Sequence, residues 1–111
     1  MKQEFKGCLI KFNVLDKHMQ IISESCKITY NENITYACYE NFDFSKYVGC
    51  VKSFETKKDG LYADVVLTEK ININSVVLRP AFLVNESIVI KNRTVILTDI
   101  ELIDIGMIKR I

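Results

Sequence analysis

Apolar and polar residues alternate along most of this chain in short runs, and clusters of Asn, Asp, Gly and Lys break the runs. β-branched and aromatic residues fill them, which is the composition of strands. The clearest case is 61–68. Leu61, Ala63, Val65 and Leu67 fall on one face, and Tyr62, Asp64, Val66 and Thr68 on the other. That is the period of a half-buried strand. A partner strand is expected over 48–55. Between them, Lys57-Lys58-Asp59-Gly60 predicts a hairpin whose Asp-Gly step supplies positive φ. Gly49, inside the partner strand, predicts a bulge or a close backbone approach.

Further strands are expected over 6–14, 19–23, 26–30, 34–39, 82–84, 87–90 and 94–105. The turns between them fall at Asp16-Lys17-His18, Asn31-Glu32-Asn33 and Asn92-Arg93. In 94–105 the alternation changes face around Thr98–Ile100, so a bulge or bend is expected there. Segment 69–78 fits neither period and reads as a strand or a short helical turn. Pro80 is expected to stop any regular element. The expected fold is mainly β, α+β at most: one domain over 1–111, a small antiparallel barrel or sandwich with little helix.

Composition narrows the function. The chain has 111 residues and a formal net charge of +1, without the basic footprint of a nucleic-acid binder. It has no room for a separate cofactor domain. No apolar run approaches the ~18 residues of a membrane span. No apolar stretch follows Lys2, so no secretory leader is expected. Cys8, Cys26, Cys38 and Cys50 are widely spaced, with no C-x-x-C pair. They read as reduced thiols acting as small buried hydrophobes, and no metal or other cofactor is implied.

Candidate chemistry is sparse. His18 is the one histidine and sits in a polar turn. Asp99, Glu101 and Asp104 read as a solvated sheet face. The distinctive stretch is 30–47, where Tyr30, Tyr36, Tyr39, Phe42, Phe44 and Tyr47 are interleaved with Glu32, Glu40 and Asp43. Rings beside acids suit a protein partner better than a nucleic acid. Tyr36, Tyr39, Phe42, Phe44 and Tyr47 are the candidate interface, unless the rings form core.

Three pieces together resemble a known family. They are Asn41-Phe42-Asp43-Phe44-Ser45-Lys46-Tyr47-Val48-Gly49-Cys50-Val51-Lys52, then Asp59-Gly60-Leu61 through Leu67, then the closing run Asp99 through Ile108. In order and spacing they are similar to the phage prohead proteases, serine proteases of capsid maturation. The resemblance implies a β fold like that family's. It also places the catalytic His position at Phe42, a side chain that takes no proton. The nucleophile position falls on Ala81, the favoured alignment, or on Ser87. The resemblance therefore implies a shortened member without catalytic residues. It would be a non-enzymatic virion protein, an auxiliary or minor capsid component bound in many copies to the major capsid protein or other head proteins. It would reside in the bacterial host cytoplasm before assembly. The alternatives are an active maturation protease using Ser87 and His18, and a small phage-encoded inhibitor or binding module.

Overall fold

The computed structural model describes residues 3–68 and 70–109. Among them are seven strands: β1 (Gln3–Lys11), β2 (Gln20–Thr29), β3 (Ala37–Glu40), β4 (Tyr47–Lys57), β5 (Gly60–Leu67), β6 (Val76–Val89) and β7 (Val95–Lys109). Short 3₁₀ turns occupy Ile73–Ser75 and Lys91–Arg93. The molecule is mainly β, as the alternation predicts.

The β5 pattern is realised up to Leu67, one residue short of the expected end: Leu61, Ala63, Val65 and Leu67 are all buried, and the residues between them are half-buried. β4 pairs with β5 as the expected hairpin, with Lys57 opposite Gly60. The turn itself differs from expectation, because neither Asp59 nor Gly60 has positive φ. Gly60 serves a different need. A Cβ there would overlap the Ile10 carbonyl oxygen of β1. Gly49 behaves as its position predicts, since a Cβ would overlap the Val66 carbonyl oxygen of β5.

Strand order is β1-β5-β4-β3-β7-β2, with β6 also on β7. β7 has a full partner, β6, along one edge. Along its other edge two strands take turns: β2 against Val95–Glu101, then β3 against Ile105–Met107, both parallel to it. The sheet is therefore mixed and open, where an antiparallel barrel or sandwich was expected. β1 comes beside β6, with Gly7 against Leu78, but no ladder joins them. Pro80 lies in that part of β6. A proline on an edge strand is one device that keeps an edge from pairing. The same edge position explains why Pro80 does not end the strand. The expected segments 82–84 and 87–90 merge into β6 across Asn85, which has no partner in the register. Likewise 19–23 and 26–30 merge into β2, which runs parallel to β7. In the ambiguous 69–78 segment, Glu69 lies outside the described residues. The rest holds a 3₁₀ turn, with the Asn72 side chain accepting from Asn74 N at 3.1 Å, and then the start of β6.

β7 carries the longest inward row: Leu97, Ile100, Leu102, Ile105 and Met107, all buried. Two of its steps are three residues long, which a regular strand would turn outward. The register against β6 skips Thr98 and Ile103, and these two bulges restore the phase. The first is the bulge predicted near Thr98. Full burial of each such side chain contributes about 1.5–3 kcal/mol.

Gly49→Ala is expected to destabilise the protein by about 3 kcal/mol, because two backbones in mid-sheet must separate to admit a methyl group. Urea denaturation measures it, and an unchanged midpoint would contradict the close β4–β5 approach.

Candidate interaction surface

β3 ends at Glu40 and β4 begins at Tyr47, and two consecutive turns join them. Asp43 N donates to Glu40 O at 2.9 Å, and Lys46 N donates to Asp43 O at 2.8 Å. Inside the first turn Asn41 and Phe42 both have left-handed backbone, at φ 53° and 58°. Asn tolerates this region; a bulky residue there costs of order 1–3 kcal/mol and must be held. Two contacts hold it. Asn41 N donates to Met107 O at 3.0 Å. The Phe42 ring covers Gly106 of β7 so closely that a Cβ there would stand 2.6 Å from it. In the second turn the Asp43 carboxylate accepts from Ser45 Oγ at 2.7 Å and from Ser45 N at 3.0 Å. Those bonds hold its pKa below the ordinary carboxylate value.

Phe44 of the loop, Tyr39 of β3 and Tyr47 of β4 bring three rings together. Tyr39 meets Phe44 edge to face, with centroids 5.0 Å apart, and meets Tyr47 at 6.3 Å. Phe44 is 67% exposed and Tyr47 49%. Near the end of β3, Val48, Ile71, Val76 and Met107 line a cavity of about 330 Å³. Glu40 and Lys109, also lining it, form an ion pair at 3.6 Å. Aromatic residues with large exposed area are the usual anchors of protein interfaces.

The five candidate interface residues thus divide. Phe44 and Tyr47 are exposed, and half-buried Tyr39 packs against both. Phe42 is half-buried and faces Gly106. Tyr36 is buried: its hydroxyl donates to Leu102 O at 3.3 Å and accepts from Asn31 N at 2.9 Å. It is a core residue, and its surface is not open to a partner. With Tyr30 it packs on Phe54, at 5.7 and 4.4 Å, beside a cavity of about 270 Å³. Phe54 lies outside the aromatic-rich stretch, so its part in this group was not anticipated; only its place on β4 points to it.

The positions singled out by the family resemblance also separate. Ala81 pairs with Asp104, and Arg79 with Gly106. Ala81 and Gly106 are therefore diagonal neighbours on the outer face, about 7–8 Å apart. Phe42, which covers Gly106, is on that face too. Ser87 pairs with Leu97, near the far end of β7. His18 is exposed in the loop before β2, its N–H donating to Asp16 Oδ1 at 2.8 Å. β6 and β2 flank β7 on opposite sides, about 10 Å apart. No hydrogen bond joins Ser87 to His18 among the described residues.

No three His, Cys, Asp or Glu side chains converge as metal ligands among the described residues. The four cysteines are free thiols, and burial pushes Cys38 up to about 12. Comparison with family models, curated proteins and solved structures finds no match to this chain.

In the native protein Cys38 should resist iodoacetamide at about pH 8, while half-buried Cys8, Cys26 and Cys50 react first. Its folded pKa lies above the ordinary 9.0. The stability its burial brings is therefore intact below about pH 9 and lost as pH rises towards 12. Cys38→Ala should flatten that alkaline loss. Labelling of Cys38 as fast as the others, read by peptide mass mapping, would contradict a closed β3–β7 core.

Proposed function

We propose that this chain is a non-enzymatic structural protein of a tailed-phage head. In this reading it is an auxiliary or minor capsid component bound to the major capsid protein through a degenerate prohead-protease-like fold. The observation that carries the proposal is the aromatic cluster of exposed Phe44 and Tyr47 with half-buried Tyr39, gathered around a strained loop that Phe42 locks onto Gly106. Strain of this kind persists only where surrounding contacts over-determine it, and it clusters at functional sites. A pre-ordered aromatic surface loses little entropy on docking.

The non-enzymatic part of the reading draws on the neighbouring outer face. Phe42, over Gly106, and Ala81, paired with Asp104, lie on that face. These are the positions that the resemblance gives to base and nucleophile, and both hold hydrocarbon. Neither accepts a proton or attacks a carbonyl. The alignment through Ala81 brings its two positions onto one face, whereas Ser87 lies near the far end of β7.

Quantitative mass spectrometry of purified virions tests the proposal: a stoichiometric number of copies per head is expected. The double variant Phe44→Glu, Tyr47→Glu should reduce incorporation at least tenfold, about 1.4 kcal/mol of binding, while its thermal midpoint stays near that of the parent. Absence from virions would overturn the reading. So would cleavage of capsid precursor by the purified protein that Ser87→Ala abolishes.

A further inference from the structure

A second surface lies at the opposite end of β7. Gln20 of β2 and Val89 of β6 both stand beside Val95, the first residue of β7. The loop before β2 and the turn before β7 therefore meet at one end of the sheet. Val95 N donates to Met19 O at 2.8 Å, and Ile90 N to Thr94 O at 2.8 Å. On the far side of β2, Asn13 N donates to Ile22 O and Asp16 N to Gln20 O. Three strands and the loop backbone of 13–16 thus lie abreast, spanning roughly 14 Å.

This tip is apolar. Val14, Leu15, Met19, Ile88 and Ile90 are exposed, and Val89 is 72% exposed. On the outer face Ile88, Ile96 and Ile21 stand abreast across three strands. The tip is also basic. Lys17, Lys91 and Arg93 lie in its two loops and make no ion pair among the described residues. Its one carboxylate, Asp16, already accepts from His18 N and Gln20 N. In a chain of net charge +1, such a cluster is a local positive pole.

The tip ends in an open strand edge. Beyond Ala81, β6 pairs only with β7, and Ser87–Ile90 carries none of the prolines or charges that normally blunt an edge. Pro80 and Arg79 lie at the other end of the strand, beside β1.

We infer that this edge accepts a strand from a partner protein, apolar along its length and acidic at the end that runs past Ile90. Backbone pairing along β6 supplies the affinity. Ile88 on the outer face and Val89 on the other, both exposed, meet the partner strand's alternate side chains, and the acids meet Lys91 and Arg93. A lipid surface is the less suitable occupant, since the tip has none of the Trp or Tyr that anchor proteins at the membrane interface. The inference goes beyond the capsid reading and does not depend on it, because it uses only the edge and its charge.

Fluorescence anisotropy with two labelled peptides tests it. Both alternate valine and threonine; one ends in three aspartates and the other in three lysines. The aspartate peptide should bind at least tenfold more tightly. The double variant Lys91→Glu, Arg93→Glu should abolish that preference, and Ile88→Ser should weaken the aspartate peptide several-fold. All three positions are exposed, and an unchanged thermal midpoint verifies folding. Equal affinity for the two peptides, binding of neither, or binding only to phosphatidylglycerol vesicles would overturn the inference.

Discussion

One strand has to keep a single row of side chains facing inward while its neighbours change, and the rest of the fold depends on how it does so. β7 runs from Val95 to Lys109 with β6 on one edge and β2, then β3, on the other. Its inward residues are spaced by three at 97–100 and at 102–105. A one-residue slip would turn every later side chain to the wrong face. Bulges at Thr98 and Ile103 prevent this. The second also falls where one neighbour gives way to the next: β2 pairing ends at Glu101 and β3 pairing begins at Ile105. A bulge bends its strand and increases local twist. The bend and the change of partner thus occur at one place, which lets a single long strand pair with β2 along one part and β3 along the next.

Glycines set how closely the remaining strands approach one another. Gly49 and Gly60 allow β4 and β1 to press against β5 and strand-end backbone, where a methyl group would meet a carbonyl oxygen. Gly106 works differently, because its missing side chain is replaced by the ring of Phe42. The ring occupies the outer face of β7, and its burial offsets the left-handed backbone of the loop that carries it. The same small residue therefore connects sheet packing to the surface: without it the loop would lose its anchor, and Tyr39, Phe44 and Tyr47 their fixed arrangement.

What the sequence revealed follows from how local each cause is. The β4–β5 hairpin was legible because alternation and a short turn lie within twenty or so residues, and the Thr98 bulge because a broken alternation marks it directly. The parallel pairing of β2 and β3 with β7 was not, since periodicity reports which face is buried and not which strand lies alongside. Pro80 misled for a related reason. A proline ends a central strand but is tolerated on an edge, and edge position is a property of the assembled sheet. Gly60 was marked as important, but for the turn when the demand comes from β1. At the candidate surface, the clustering of Tyr39, Phe44 and Tyr47 was visible as composition. That Tyr36 lies inward became clear only with Phe54 and Leu102 in place around it.

The two exposed surfaces are related through β7. Tyr39 pairs with Gly106, and the apolar tip flanks Val95. At about 3.3 Å per residue, roughly 30–35 Å of strand separates them. Their chemistry differs: one end is aromatic and gathered around a locked loop, the other aliphatic, basic and open along a strand edge. A strand paired on both sides over most of that length is a stiff spacer, unlike a flexible linker, whose reach fluctuates. For a bivalent connector this stiffness matters more than the affinity of either end. When the distance between two partner sites matches the spacer, binding at one end places the other at high effective concentration; when it does not, joint engagement is lost. The phase-keeping bulges of β7 would then fix more than a core. Each bulge bends the strand, and so sets how the two ends of β7 are turned relative to one another.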